Sequence, residues 1–495
     1  MIDADQARPS HTPILAPADR PKVLGDYSAV MGRARIAIVA CFGAVLAIGS
    51  IAAGAAGQDV QRAAVQLHAC GGVPEVPGFR CGSIRVPFER TDPSYGTTRI
   101  AFAVRERGLT NVPSRGTIIA QEGGPGFAST GTANAYIHLF RGLLRRRDLV
   151  LVDVRGTGRS ERLHCPELQH GVGPEPITLS QCADQLGKRF ISYRTSAAAD
   201  DIDAVRRALG LDKVTLYGDS YGTYLGQSYA FRHPDTLRAL VLDSAYPARG
   251  ESPWYGSLIR TGNHALALAC RRLPQCHGDA ERRLYKLVKF LRRSGRGVGG
   301  LLEAFGSATY GTPESYVAID RAGVQLRHGN QHPWQRLTRP FKPSSGDPRE
   351  YVRAGELVVG CNDYPMIWEK TAAEPERRKE LQRAIRRHEH DFGPFTPREI
   401  ALSSSFGYLE CLTWPKPTPV YEPPISAGEQ PTQAPVLVVS GEMDNLTTPQ
   451  EGRWVADEFP RAKRFVARNA GHVDSLIHHD GPAANAIRAF IRRHG

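Results

Sequence analysis

The stretch Val214-Thr-Leu-Tyr-Gly-Asp-Ser-Tyr-Gly222 organises this 495-residue chain. An apolar, β-branched run leads into Gly218-Asp-Ser-Tyr-Gly222, which has the form G-x-S-x-G, and a helical pattern over Thr223–His233 follows it. A strand, a sharp turn and a helix are the context in which this motif forms a nucleophile elbow. The glycines let strand and helix approach closely while the serine takes a strained conformation. We therefore predict that Ser220 is a nucleophile.

A second stretch, upstream, supplies a candidate oxyanion hole. The apolar run 116–121 predicts a buried strand, and it ends in Glu122-Gly-Gly-Pro-Gly126. A glycine-rich loop after a strand can direct backbone N–H groups at a developing oxyanion. The predicted donors are the N–H of Tyr221 and that of Gly123 or Gly124, a choice that the sequence leaves open.

Two downstream stretches supply an acid and a base for Ser220. A predicted strand over 435–440 leads to Asp444, and another over 463–467 precedes His472. The chain order Ser, Asp, His is that of the α/β-hydrolase triad. Serine needs a base, and histidine titrates near neutral pH. His478 and His479 are rival candidates for the base, and Asp243 is a rival candidate for the acid.

Several motifs beyond the triad carry a resemblance to a known family. They are Gly123-Gly-Pro-Gly126, Asp153-Val-Arg-Gly-Thr-Gly-Arg-Ser160, Tyr217-Gly-Asp-Ser-Tyr-Gly-Thr-Tyr224, Val241-Leu-Asp-Ser-Ala-Tyr-Pro247, Cys361-Asn-Asp-Tyr-Pro365 and Gly441-Glu-Met-Asp444. From about Cys70 onward the chain resembles an α/β-hydrolase of the tripeptidyl-aminopeptidase-like (TAP-like) group, related to the prolyl iminopeptidases. One difference is Gln121-Glu122, where members of the group usually carry Asn-Pro or a His.

The alternation of strands and helices predicts an α/β fold with a mostly parallel sheet. Apolar runs at 84–88, 99–104 and 149–153 predict strands, and helical spacing over 197–209 predicts a helix directly before the elbow strand. Such alternation favours helices on both faces of the sheet. After 247 the pattern becomes mainly helical, for example over 281–293 and 374–390, and it returns to strands at 436.

These patterns divide the chain into five predicted segments. Residues 1–35 are polar and rich in proline, as in disordered segments, and 36–57 form a signal peptide or a membrane anchor. The hydrolase core begins with 58–247 and ends with 431–495, which carries the acid and the base. The resemblance implies that 248–430, inserted after the sixth predicted strand, is a largely helical cap.

The uncharged segment 36–57 predicts export. It follows Arg33 and Arg35, is long enough to span a bilayer, and ends in small residues that resemble a signal-peptidase site. Positive charges before the apolar run send the following chain outward. Secretion and anchoring both fit, and translation from Met31 would give a normal signal-peptide start.

The cysteines agree with export. Cys41 lies in the apolar segment, and the even set that follows it predicts four disulfides. That set is Cys70, Cys81, Cys165, Cys182, Cys270, Cys276, Cys361 and Cys411. Sequential pairing is favoured because it closes short loops, although eight cysteines allow 105 connectivities.

Composition limits the possible partners. The formal net charge is +13, but no nucleic-acid motif is present and the basic clusters are short. A solvated arginine-rich surface is the favoured interpretation, with attraction to an anionic envelope as the alternative. We expect neither a cofactor nor a metal, because no Cys/His cluster has zinc spacing.

The family resemblance implies an exopeptidase that acts on free peptide N-termini through an acyl-enzyme on Ser220. An esterase or lipase that acts on small acyl esters is the alternative, since the triad serves both. A non-catalytic binding protein is a third possibility. An exopeptidase would need a carboxylate for the substrate ammonium, and the sequence offers Glu122, Asp363 and Glu410.

Overall fold

The structure, a computed structural model, describes residues 65–495 except 72–75, 77, 172–174, 251–255, 339–346, 388–391 and 404–408. The predictions for 1–35 and for the signal peptide or membrane anchor at 36–57 lie outside the described residues. Within the described part, no helix combines the length and the apolar character needed to cross a bilayer.

One nine-stranded sheet forms the centre of the fold, in the order β1-β2-β3-β5-β4-β6-β7-β8-β9. The strands are β1 His68–Ala69, β2 Arg80–Pro87, β3 Thr97–Arg105, β4 Thr117–Gln121, β5 Asp148–Asp153, β6 Val214–Asp219, β7 Leu237–Asp243, β8 Val436–Gly441 and β9 Ala462–Ala467. The pairs from β1 to β5 are antiparallel, and all those from β5 to β9 are parallel. The predicted mostly parallel sheet is confirmed. The two-residue β1 was missed because it is too short to show a period.

Helices cover both faces of the sheet, as predicted. The helices outside the β7–β8 connection are α1 Ala133–Phe140, α2 Pro166–His170, α3 Glu175–Leu186, α4 Thr195–Ala208, α5 Tyr221–Arg232, α14 Pro449–Asp457, α15 Asp474–Ile477 and α16 Pro482–His494. Apolar side chains of α4, α5 and α14 share one buried cluster with the strands, and those of α1 and α16 share the other. Alternate strand residues point to opposite faces, so the sheet is buried on both sides.

A largely helical insertion lies between β7 and β8. Its helices are α6 Gly256–Arg272, α7 Ala280–Arg293, α8 Gly299–Ala308, α9 Pro313–Arg327, α10 His332–Leu337, α11 Arg353–Asp363, α12 Glu374–Arg387 and α13 Pro397–Ala401. Their apolar residues form a third buried cluster together with α2 and α3. β7 is the strand counted as the sixth in the sequence, since β1 had not been predicted. The cap limits at 248 and 430 stay predictions.

Four disulfides join the cysteines in sequential pairs. They link Cys70 to Cys81, Cys165 to Cys182, Cys270 to Cys276 and Cys361 to Cys411. This is the pairing that the sequence favoured. Among the described residues, the three side chains grouped closely enough to hold a metal are Cys270, Cys276 and Asp320, and both of these sulfurs belong to a disulfide.

The motif 153–160 braces the sheet against the neighbouring helices. Arg155 is buried and forms two hydrogen bonds with Asp201 on α4, at 2.7 and 2.8 Å. It also donates to the carbonyl oxygens of Phe88 and Ser192. Four of the five guanidinium donors are therefore engaged. Such a buried charge is costly to disturb, because removing a partner leaves it unpaired. This motif therefore has a structural role.

Candidate active site

Ser220 occupies the predicted sharp turn between β6 and α5. Its φ of 51° and ψ of −121° lie outside the regions that serine usually adopts. A Cβ placed on Gly218 would lie 2.0 Å from the carbonyl oxygen of Gly222, and one placed on Gly222 would lie 2.4 Å from that of Gln121. Both positions therefore require glycine, which lets the turn present the serine at the end of the strand.

The structure brings Ser220, His472 and Asp444 together. His472 Nε2 lies 3.0 Å from Ser220 Oγ, and His472 Nδ1 lies 2.9 Å from Asp444 Oδ2. Asp444 follows β8 and His472 follows β9, so the parallel strands deliver the side chains to one sheet edge. Both are buried, with 0% and 1% of their surface exposed. Ser220 is partly exposed, so a substrate can reach it.

Asp444 is held as a carboxylate by its neighbours. Its Oδ1 accepts from the backbone N–H groups of Leu446 at 3.0 Å and Thr447 at 2.9 Å, and its Oδ2 accepts from the Thr447 hydroxyl at 2.8 Å. Burial opposes ionisation, but the charge of His472 and these hydrogen bonds outweigh it and lower the pKa of Asp444. An ionised Asp444 fixes the tautomer of His472 with hydrogen on Nδ1.

The rival residues lie in other environments. His478 is half exposed and pairs with Asp474 at 2.7 Å, and His479 stacks on His138. Asp243 accepts from the hydroxyls of Tyr217, at 3.0 Å, and of Ser475. Burial raises the pKa of Asp243 to about 6, although both hydroxyls lower it. The acid that contacts the histidine ring is Asp444.

The glycine-rich loop 122–126 lies close to Ser220. A Cβ placed on Gly123 would lie 2.7 Å from Ser220 Cβ, so the loop backbone approaches the serine as closely as glycine allows. The Gly123 N–H donates to Glu122 Oε1 at 3.1 Å. Within the described part of the chain, no acceptor contacts the N–H of Gly124 or that of Tyr221, the first residue of α5. Unpaired N–H groups at a helix start can receive an anion.

The helical insertion also contacts the triad. The backbone N–H of His472 donates to the carbonyl oxygen of Thr309 at 2.7 Å, and the Thr309 hydroxyl donates to Asp444 Oδ1 at 3.2 Å. The ring of Tyr310 meets the His472 ring edge to face at 5.2 Å. Sequence reasoning missed both residues, since neither lies in a motif. Thr447 was missed too, although a hydroxyl three residues after the acid is a weak local signal.

The three predicted substrate-binding acids have different surroundings. Glu122 adjoins Gly123 and is half-buried beside the elbow. Asp363 is buried, and it accepts from the Thr195 N–H at 2.5 Å and from the Tyr421 hydroxyl at 3.4 Å. Burial raises the pKa of Asp363, although Thr195 opposes this. Glu410 lies in the 3-10 turn Leu409–Thr413, beside a disulfide. Of the three, Glu122 is in the loop that contacts Ser220.

The structure adds one acid that the sequence analysis missed. Glu356, on α11, accepts a hydrogen bond from Tyr351. Val352, at the start of that helix, donates to the carbonyl oxygen of Gly126 at 2.9 Å, so the helix packs on the glycine-rich loop. Desolvation, followed by the charges of Asp444, Glu356 and Glu122, raises the pKa of Tyr310, although 52% of the residue's surface is exposed. Both carboxylates therefore lie near the ring that covers His472.

Comparison with known proteins agrees with this geometry. A family model described as the alpha/beta hydrolase fold matches residues 116–261, and one described as TAP-like protein matches residues 401–494. The chain has the α/β-hydrolase fold, and its C-terminal part is similar to TAP-like proteins. The first match contains Ser220 and the glycine-rich loop, and the second contains Asp444 and His472, so the resemblance seen in the sequence is confirmed.

Curated relatives of this chain include peptidases. The chain is 29% identical over 221 residues to a tripeptidyl aminopeptidase of Streptomyces coelicolor. The matched region covers 39% of this chain and 40% of the relative. The chain is also 31% identical over 191 residues to the serine protease Hip1 of Mycobacterium tuberculosis, which covers 34% and 36%. The chain therefore spans less than half the length of these relatives. A solved proline iminopeptidase of Mycobacterium smegmatis is 17% identical with a TM-score of 0.35, covering 83% of this chain and 98% of that one.

Proposed function

We propose that this chain is an exported serine exopeptidase that cleaves short peptides, or a single residue, from free N-termini. The observation that carries the proposal is the Ser220–His472–Asp444 contact, with heavy-atom distances of 3.0 and 2.9 Å. It supports nucleophilic attack on an acyl group. The peptidase relatives support a peptide substrate, and the four disulfides support an oxidising compartment outside the cytosol.

The proposed reaction proceeds through an acyl-enzyme. His472 Nε2 removes the hydroxyl proton as Ser220 Oγ attacks the scissile carbonyl, and Asp444 stabilises the imidazolium that forms. The tetrahedral oxyanion accepts from the N–H groups of Tyr221 and Gly124. Gly124 is preferred to Gly123 because the Gly123 N–H is engaged by Glu122. His472 then protonates the leaving amine. In the second half of the reaction, His472 removes a proton from water as the water attacks the acyl-enzyme, and the acyl product is released.

The helical insertion supports action at chain ends. Thr309 and Tyr310 of the insertion contact the triad, and the start of α11 contacts the glycine-rich loop 122–126, which is the oxyanion loop of this proposal. We propose that the insertion acts as a cap that limits how far a peptide can pass the scissile bond. In this proposal Glu122 offers negative charge to the arriving α-ammonium, and a blocked terminus would leave that charge unpaired.

One assay separates the candidate functions. The purified protein is given a short peptide with a free N-terminus, the same peptide with an acetylated N-terminus, and a short p-nitrophenyl ester. Rapid cleavage of the free peptide and resistance of the acetylated one support the exopeptidase. Turnover of the ester alone would favour the esterase, and turnover of none would favour a binding protein.

A further inference from the structure

Two carboxyl groups, of the buried Asp219 and the half-buried Glu122, lie side by side next to Ser220. Gln121 on β4 pairs with Gly218 on β6, so the next residues on these parallel strands, Glu122 and Asp219, are neighbours at the same sheet edge. Asp219 is 1% exposed and immediately precedes Ser220. Two adjacent ionised carboxylates without a cation are strongly disfavoured in a protein interior.

The hydroxyl of Tyr136 joins the two carboxyl groups. Tyr136 Oη lies 2.8 Å from Asp219 Oδ1 and 3.1 Å from Glu122 Oε2. A phenol has one proton to donate, while an ionised carboxylate has none. Two good hydrogen bonds among these three oxygens therefore require a second proton, which one of the carboxyl groups must carry.

We infer that Glu122 and Asp219 form a pair that holds one proton, and that this pair, bridged by Tyr136, positions the oxyanion loop and sets an alkaline limit on acylation. The inference rests on the proposed reaction at Ser220. Glu122 reaches the loop through the Gly123 N–H, at 3.1 Å from Oε1. Glu122 Oε1 accepts from the loop and Oε2 contacts Tyr136, so the Glu122 side chain links the loop to helix α1. Both acids act as positioning residues.

The surroundings indicate that Asp219 holds the proton. Burial, followed by the charge of Glu122, raises the pKa of Asp219 well above its ordinary value, against the hydrogen bond from Tyr136. Among the residues that the structure describes, other titratable groups that face Asp219 include Asp243 on the adjoining strand, Tyr217 on its own strand and Tyr310 on the insertion. None of these is a cation, so nothing among them favours the ionised form.

Loss of this proton has a direct consequence for catalysis. When Asp219 ionises, the Tyr136 hydroxyl can donate to only one of the two carboxylates. The hydrogen bond between Tyr136 and Glu122 then weakens. A second negative charge also appears one residue from Ser220, where the transition state develops its own negative charge. Both effects slow acylation as the pH rises through the pKa of Asp219.

The test measures the pH dependence of Ser220 acylation between pH 5 and pH 10. A fluorophosphonate and a neutral p-nitrophenyl ester are used, because neither carries an amine that titrates. The variants are Asp219→Asn and Glu122→Gln, in which an amide replaces the proton-sharing carboxyl. Asp153→Asn is the matched control, because Asp153 is also buried with a raised pKa but accepts its hydrogen bonds from Thr130 and Arg159.

We expect the wild-type rate to fall tenfold per pH unit above the pKa of the pair. The fall should vanish in Asp219→Asn, which has no proton to lose. In Glu122→Gln it should vanish or move to lower pH, because removal of the Glu122 charge lowers the pKa of Asp219. In Asp153→Asn it should stay in place. A profile in either amide variant that parallels the wild type at all pH values would overturn the inference. Absence of fluorophosphonate labelling at Ser220 at every pH would instead refute the proposed function.

A measurement without turnover serves if the variants label poorly. Infrared difference spectra of wild type minus Asp219→Asn, taken at neutral pH, should contain the carbonyl band of a protonated carboxyl group. That band should disappear at the pH where acylation of the wild type declines. A difference spectrum that shows only ionised carboxylate at neutral pH would also overturn the inference.

Discussion

The backbone N–H of His472 donates to the carbonyl oxygen of Thr309 at 2.7 Å. Thr309 directly follows α8 of the insertion, while His472 follows the last strand of the core. A Cβ placed on Gly471 would lie 1.9 Å from the same carbonyl oxygen, so only glycine permits this approach. The insertion therefore helps to set the position of His472.

Removal of the nucleophile should abolish turnover while the fold persists. Ser220→Ala deletes only Oγ, and alanine fits wherever serine fits. We expect kcat to fall on the order of 10⁶-fold, the size of loss seen when a triad serine is removed. A fluorophosphonate should label wild type at Ser220 and leave the variant unlabelled. Labelling at another serine, or substantial activity in the variant, would refute the assignment.

The hydroxyl of Thr447 should help to hold Asp444 and His472 in position. It lies 2.8 Å from Asp444 Oδ2 and 3.1 Å from His472 Nδ1. Thr447→Val keeps the shape and removes a hydrogen bond to a charged acceptor, worth about 1.5–3 kcal/mol. We expect kcat/KM to fall roughly ten- to a hundredfold, by the usual conversion of energy to rate. Thr447→Ser is the control, and it should retain most activity. Equal losses in both variants would show that the methyl group matters instead.

The disulfides should differ in their contributions to stability according to the loops that they close. Cys361 and Cys411 are 50 residues apart, whereas Cys270 and Cys276 are 6 apart. Loop entropy predicts a loss of about 4 kcal/mol for the first bond and about 2 kcal/mol for the second when both cysteines of a pair become alanine. Chemical denaturation measures the difference, and intact mass with and without reduction counts the bonds. Eight free thiols in protein isolated from the cell envelope would contradict the proposed export.

The shifted pKa values predict opposite pH slopes for two aspartates. The pKa of Asp219 is raised by burial, so below about pH 4 it is protonated in both states, and above that only the unfolded state loses the proton. Asp219 therefore destabilises the fold increasingly as the pH rises from about 4 to its raised pKa. The difference between the Tm of Asp219→Asn and the Tm of wild type should therefore increase, in favour of the variant, across this pH range.

Asp444 provides the contrast. Its pKa is lowered in the folded state, because His472 and Thr447 outweigh burial. Its stabilisation is complete above about pH 4 and is lost as the pH falls through the folded pKa. Asp444→Asn should therefore be less stable than wild type at neutral pH, and the deficit should shrink on acidification. Parallel Tm curves for wild type and both variants would refute these pKa directions.

The sequence predicted the parts of the site that depend on local pattern. The elbow follows from Gly218 and Gly222, and the parallel strands that end near Asp444 and His472 follow from apolar runs. The contacts of Thr309 and Glu356 depend on how a long insertion folds back, which no short motif encodes. The bridge from Tyr136 to two acids depends on strand register, which brings together positions far apart in the chain.

Recognition of the substrate amine gives the last prediction. A free α-ammonium is a cation, and the Glu122–Asp219 pair holds one negative charge beside Ser220. An acetylated terminus is neutral and bulkier, so it would leave that charge without a partner. The ratio of kcat/KM for a free peptide to that for its acetylated form therefore measures recognition alone, since changes in chemistry cancel.

We expect Glu122→Gln to lower this ratio at least tenfold, mainly through a higher KM for the free peptide. Asp363→Asn and Glu410→Gln test the other predicted acids, and Glu356→Gln tests the one that the structure adds. Asp363 already accepts two hydrogen bonds, from Thr195 and Tyr421, so its variant should lose stability more than selectivity. A drop in the ratio for Glu356→Gln alone would move the amine site to α11. Unchanged ratios in all four variants would show that no carboxylate among them binds the amine, and would remove the charge argument for an exopeptidase.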